Sequence, residues 1–201
     1  MTNNFKIVGD FIDSFGKIDS DWFFHISVMI RHKDVEWFPN GKNNNARTIY
    51  SLNVSSSEEL YDQEKLITTM CDSLHARAYI NLVPKSYEKA ASWALENSVH
   101  SYASKNYFGL SRSWSRGVDA ASIKEHSLFL IDIDEPDIHR VDEIKNYIDE
   151  HLQPMGDKVI IQVPSRTGIH LLCKKFDKLE FNNKFPDIDV KKNAMTILYC
   201  F

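Results

Sequence analysis

The sequence predicts an α+β fold with mostly antiparallel pairing, an α/β support module followed by a strand-rich C-terminal region. Three observations point there. Residues 22–31 alternate apolar and polar side chains like a strand with one buried face. Residues 138–152 place apolar side chains at helical steps. Short apolar runs after residue 127 are each bounded by a polar cluster.

In chain order, residues 1–4 are polar and residues 5–15 have no settled local preference. Between residues 22 and 31, Phe24, Ile26, Val28 and Ile30 stand against His25, Ser27, Met29 and Arg31, the period of two that sends alternate side chains to opposite faces. Residues 41–45 are a turn by composition, and residues 47–54 are the expected partner strand of a long-looped hairpin. Ser55, Ser56 and Ser57 precede Glu58 and Glu59. A serine hydroxyl satisfies a free N–H there and the acids meet the positive end of the dipole, so a helix is expected to about Ser73. Residues 76–83 read as a strand ended by Pro84, and residues 86–96 as a second helix with Tyr87, Ala91, Trp93 and Leu95 partly apolar.

Residues 101–122 interleave aromatic rings with positive charge: Tyr102, Lys105, Tyr107, Phe108, Arg112, Trp114 and Arg116. Such a mixture can stack on bases while its cations meet phosphates. It equally suits a connecting segment whose aromatics anchor it to the core. Arg112, Trp114 and Arg116 are the nucleic-acid-binding candidates.

Three clusters after Ser127 carry the chemistry. The apolar run 128–131 leads into Asp132 and Asp134, two carboxylates that a strand puts on one face, suited to hard divalent cations. Alone, Asp-x-Asp is also a strand running out into an acidic turn through Glu135, Pro136 and Asp137. The second cluster follows the apolar run 158–163. Ser165, Arg166 and Thr167 occupy a turn that Gly168 lets fold tightly, and His170 begins the returning strand, an arrangement able to hold phosphate oxygens. The third offers Asp187 and Asp189, then Lys191 and Lys192, before an apolar strand at 195–201. A carboxylate beside lysines suits metal and triphosphate together, and it also suits a solvated turn of mixed charge. Between the first and second clusters, Ile138, Val141, Ile144, Ile148 and Leu152 recur at three- and four-residue steps, so a helix there should cover one sheet face.

In order and local character, these clusters resemble the catalytic core of the archaeo-eukaryotic primase superfamily, which includes the primase-polymerase domains. The resemblance covers roughly residues 125–201. It implies an RRM-like, mostly antiparallel palm sheet at residues 111–201, with residues 1–110 as the support module, the two forming one compact unit. It further implies that Asp132, Asp134 and Asp189 hold two Mg²⁺ or Mn²⁺ ions, with Asp187 the alternative third carboxylate, and that Ser165 and His170 contact the phosphates of an incoming nucleotide. Charge and position add Arg166 and Lys191 to the nucleotide-binding set. The activity so implied is nucleotidyl transfer, with nucleoside triphosphates and a single-stranded DNA template or primer-template as partners. A metal-dependent nuclease and a noncatalytic nucleic-acid-binding replication subunit are the alternatives. Two departures stand out: Asn193-Ala-Met-Thr196 replaces the family's Gly-rich, Pro-containing continuation, and the sequence stops at Phe201. Further core elements, or a helicase or other replication partner, are therefore expected from elsewhere.

The 201 residues, 43% hydrophobic, suffice for one globular unit. A net charge of −4 excludes a global basic surplus, so any nucleic-acid binding has to rest on a local patch. Cys71, Cys173 and Cys200 lack Cys-x-x-Cys spacing and cannot form a four-cysteine zinc site. Their odd number, and a start without an apolar signal segment, lead to the expectation of an intracellular, cytoplasmic protein without a membrane span.

Overall fold

Two antiparallel sheets organise the computed structural model, which describes residues 1–16, 19–35, 46–134 and 138–201. Along the chain run β1 (Thr2–Asn3), α1 (Phe5–Asp13), β2 (Trp22–Arg31), β3 (Ala46–Val54), α2 (Ser57–Asp62), α3 (Glu64–Leu74) and β4 (Arg77–Ser86). Three helices follow, α4 (Tyr87–Ala103), α5 (Tyr107–Ser111) and α6 (Ser113–Ala120). The remainder is β5 (Phe129–Asp134), α7 (Ile138–Glu150), β6 (Val159–Pro164), β7 (Gly168–Cys173), α8 (Lys178–Lys184), β8 (Asp189–Lys192) and β9 (Thr196–Cys200). The first sheet has strand order β1-β9-β4-β2-β3, the second β6-β7-β5-β8, and the whole is an α+β fold.

The alternation in β2 decides which face of the first sheet is covered. Phe24, Ile26, Val28 and Ile30 pack in a core with Phe5, Val8 and Ile12 of α1 and with Leu60, Ile67 and Cys71 of α2 and α3. β3 pairs antiparallel with β2 as the hairpin pattern predicts, while the turn at residues 41–45 and the acidic stretch 135–137 lie outside the described residues. The predicted helix start is present: the Ser56 hydroxyl accepts from the Glu59 N–H at 3.1 Å, and the Glu59 carboxylate accepts from the Ser55 N–H at 2.6 Å. The single helix expected to Ser73 is two, because the Gln63 N–H reaches back only three residues to the Leu60 carbonyl and tightens the chain there.

Pro84 does not end its strand. β4 runs on to Ser86 because Phe23 pairs with Lys85 whereas His25 pairs with Asn81, a bulge that lets proline, without an N–H, sit opposite no required ladder bond. The helix expected over 86–96 continues to Ala103, capped at its start by Ser86, whose hydroxyl accepts from the Lys89 N–H at 3.0 Å. The aromatic and basic stretch is helical too, with α5 capped by Asn106 and α6 packed along α4.

In the second sheet, Ile131, Ile133, Leu171 and Val190 face α7 and α8, whose Val141, Ile144, Ile148 and Phe181 bury them. The buried Lys158 ammonium donates to the carbonyls of Ile148 and Gly156 at 2.6 and 2.7 Å, serving the end of α7. The strand expected at 195–201 does not extend this sheet. As β9 it crosses into the first sheet between β1 and β4, where all five of its residues are buried. Leu128, Val163 and Leu172 from the second half join the first core, so one apolar interior connects both sheets. Asn4 ties them as well, its buried carboxamide donating to the carbonyls of Pro164 and Ile197 at 2.8 and 3.0 Å. No helix among the described residues is long and apolar enough to cross a membrane.

α6 lies against α4 so closely that a Cβ on Gly117 would meet the Ala90 carbonyl oxygen at 2.4 Å, a backbone atom that cannot rotate away. Gly117→Ala is therefore expected to destabilise the fold by about 1–3 kcal/mol, the usual range for overpacking, seen as a lower urea midpoint at unchanged slope.

Candidate functional site

The face of the second sheet turned away from α7 and α8 gathers polar residues at one end, while Leu172 at the other end joins the first core. Asp132 on the central strand β5 pairs with His170 on β7 and with Asp189 on β8. Because Ile131, Leu171 and Val190 point to the α7/α8 core, their neighbours Asp132, His170 and Asp189 point the other way and meet in one row. Asp134, two residues on, shares that face and is exposed. Its partner Gly168 is fixed by crowding, since a Cβ there would stand 2.1 Å from the Ile133 carbonyl oxygen.

Two side chains converge on the Asp132 carboxylate, and one of them also reaches Asp189. His170 Nε2 lies 3.2 Å from Asp132 Oδ1, and the Lys191 ammonium lies 3.0 Å from Asp132 Oδ2 and 3.2 Å from Asp189 Oδ2. On its other side, His170 Nδ1 is 2.8 Å from the Thr196 hydroxyl, which can donate or accept and so fixes the ring plane with either tautomer. The hydrogen bond from His170, joined by that from Lys191, outweighs burial and holds the Asp132 carboxyl well below the usual carboxylate range. Burial works against the Lys191 ammonium, yet the two carboxylates together raise its pKa above the ordinary lysine value.

Other residues singled out in the sequence fall around this row rather than in it. Asp187 pairs with Arg140 of α7, which leaves Asp189 as the carboxylate beside Asp132. Ser165 sits half-buried in the turn, its N–H donating to the Gly168 carbonyl at 2.8 Å. Arg166 turns to the first sheet side, 3.1 Å from Asp34, a buried carboxylate that also pairs with Arg77 at 2.5 Å. Arg112, Trp114 and Arg116 line a separate cavity with His25 and Met195. Thr196 was not among the sequence candidates. Its only signal is a hydroxyl within the otherwise apolar run 195–201.

Among the described residues no three His, Cys, Asp or Glu side chains stand together in a metal-holding group. The donor set nevertheless suits a hard divalent cation: Asp132 and Asp189 already share a positive charge, that of Lys191, and Asp134 adds carboxylate oxygens on the same face. No family model, curated protein or solved structure matches the chain.

Because its folded pKa is depressed, Asp132 contributes stability that is fully present above about pH 4 and is lost as pH falls through the lower folded value. A carboxyl NMR titration is expected to place the Asp132 midpoint below that of an ordinary aspartate, and His170→Ala to move it upward. An ordinary midpoint in the wild type would contradict the geometry.

Proposed function

We propose that this protein catalyses metal-dependent nucleotidyl transfer, adding nucleotides to a strand on a single-stranded DNA template. The supporting observation is the row of Asp132, His170 and Asp189 across three paired strands, with the Lys191 ammonium between the two carboxylates. The resemblance to the primase superfamily assigns roles to the same positions.

Asp132 and Asp189, with Asp134 as a third acceptor, hold the divalent ions, Mg²⁺ or Mn²⁺. When bound, such ions activate a 3′-hydroxyl and neutralise the charge of a departing pyrophosphate. The hydroxyl oxygen forms a bond to the α-phosphorus, the bond to the bridging oxygen breaks, the electron pair leaves with pyrophosphate, and the hydroxyl proton passes to solvent. His170 orients Asp132 from one side while Thr196 fixes the ring from the other. Both its ring nitrogens are engaged within the protein, so His170 reaches a triphosphate oxygen only by releasing one partner. Lys191, once displaced from between the carboxylates, stays on the same face to meet the triphosphate. Ser165 offers its hydroxyl from the turn beside His170's strand.

A noncatalytic nucleic-acid-binding role is the second reading. It is favoured by the Lys191 ammonium occupying the carboxylate pair and by the lack of a three-donor group among the described residues.

Strand synthesis on single-stranded DNA with labelled nucleotides and Mg²⁺ or Mn²⁺, with and without primer, separates the two. Wild-type protein is expected to yield products, and Asp132→Ala/Asp189→Ala to lose on the order of 100-fold or more while remaining folded. Full activity of the double variant would sink the assignment, and shortening of a labelled strand without nucleotides would point to a nuclease.

Lys191 also gives a test independent of turnover. Lys191→Met removes the cation that bridges the two carboxylates, so Mn²⁺ binding followed by electron paramagnetic resonance is expected to tighten roughly tenfold, the effect of removing an interaction of about 1.4 kcal/mol. Unchanged or weaker Mn²⁺ binding would remove the carboxylate pair from the metal site.

A further inference from the structure

On the first sheet, the face opposite the α1/α2/α3 core is roofed at one side by α6, leaving two cavities of about 580 and 590 Å³. Both are lined by His25, Asp119 and Met195, so they adjoin across those three residues and together make one trough. Its charge departs from that of the whole chain. Arg112 and Arg116 line one end, and Lys124, Lys175 and Lys192 the other; all five are exposed. Lys85 also lines the trough, but its ammonium is engaged with the Val118 carbonyl at 2.8 Å. Asp119 is the only carboxylate among the described residues that line it. A chain with net charge −4 thus concentrates cations along two adjoining cavities.

We infer that this trough binds the backbone of single-stranded nucleic acid, with bases stacking at its Arg112–Arg116 end. Three features select that ligand over a small anion. The cations are spread over two adjoining cavities rather than gathered around one point, as a repeating polyanion requires. Trp114 lines the trough and is 48% exposed, and beside it the Arg112 guanidinium lies 4.5 Å from the ring centre of Phe108, itself 67% exposed. Flat apolar faces next to cations serve bases and phosphates together, whereas an acidic peptide has no use for the rings. The trough also borders the candidate site along the chain: Met195 lines both cavities, and the next residue, Thr196, holds His170 beside Asp132. The path of the strand therefore rests on the nucleotidyl-transfer reading, while binding in the trough does not.

The test is fluorescence anisotropy with a labelled 20-nucleotide oligo-dT and a blunt duplex of the same length. Wild type is expected to prefer the single strand. With five cations meeting phosphates, its affinity should fall roughly 100-fold between 50 and 200 mM salt, and Lys124→Ala/Lys175→Ala should reduce the logarithmic salt slope by about 1.4. Trp114→Ala is expected to weaken binding about 5- to 100-fold, with Trp114→Phe restoring most of it. Lys6→Glu/Lys65→Glu, on the helices of the other face, should bind like wild type.

Wild-type affinity in Lys124→Ala/Lys175→Ala or in Trp114→Ala would overturn the inference. So would equal binding of the duplex, or displacement of oligo-dT by poly-glutamate at equal charge. Asp132→Ala/Asp189→Ala separates the two claims: loss of synthesis with retained oligo-dT binding supports both. An absence of synthesis in wild type, with binding still dependent on the trough, removes the catalytic reading alone.

Discussion

The register of β5 between β7 and β8 is the constraint on which the site depends. Asp132 faces His170 and Asp189 only because Ile131, Ile133, Leu171 and Val190 are buried beneath α7 and α8 on the other side. A slip of one residue would exchange the faces. Burying each of these side chains is worth about 1.5–3 kcal/mol, so together they account for roughly 6–12 kcal/mol, comparable to the whole stability of an ordinary domain. The polar row is thus held in place by apolar residues that never touch it.

Charge balance within the row follows from the same placement. Two carboxylates on adjacent strands would repel, and the Lys191 ammonium lies within 3.2 Å of both. His170 extends the network from the second sheet to Thr196 in the first, so the row sits at the junction of the two sheets and is not a property of either alone.

Local patterns made much of this legible. The alternation of residues 22–31, the serine cap before Glu58 and Glu59, and the helical recurrence of Ile138 to Leu152 all act over a few residues, and each element forms where the pattern predicts it. What local pattern does not encode is which strand lies beside which. Asp187 and Asp189 flank the same Ile188, and only pairing with β5 and the position of Arg140 tell them apart. Thr196 stayed hidden for the same reason, lying 26 residues from the histidine it holds. Pro84 misled because it lies in a bulge of β4 opposite β2, where no ladder hydrogen bond is required of it. β9 left the expected sheet because five consecutive buried residues fit an interior position between β1 and β4 better than the half-open face beside β8.

The placement of β9 also has a bearing on how the chain acquires its structure. Residues 196–200 fill an interior position of a sheet whose other strands come from residues 2–86, so that sheet has a gap until the whole intervening segment has been synthesised. Closing so long a loop is entropically costly before any contact rewards it, which favours slow, late completion of the first sheet. An emerging chain would carry unpaired edges on β1 and β4 during that interval, the kind of surface that chaperones shield. Once β9 is seated, the two sheets are tied together, since only three residues separate it from β8 of the second sheet.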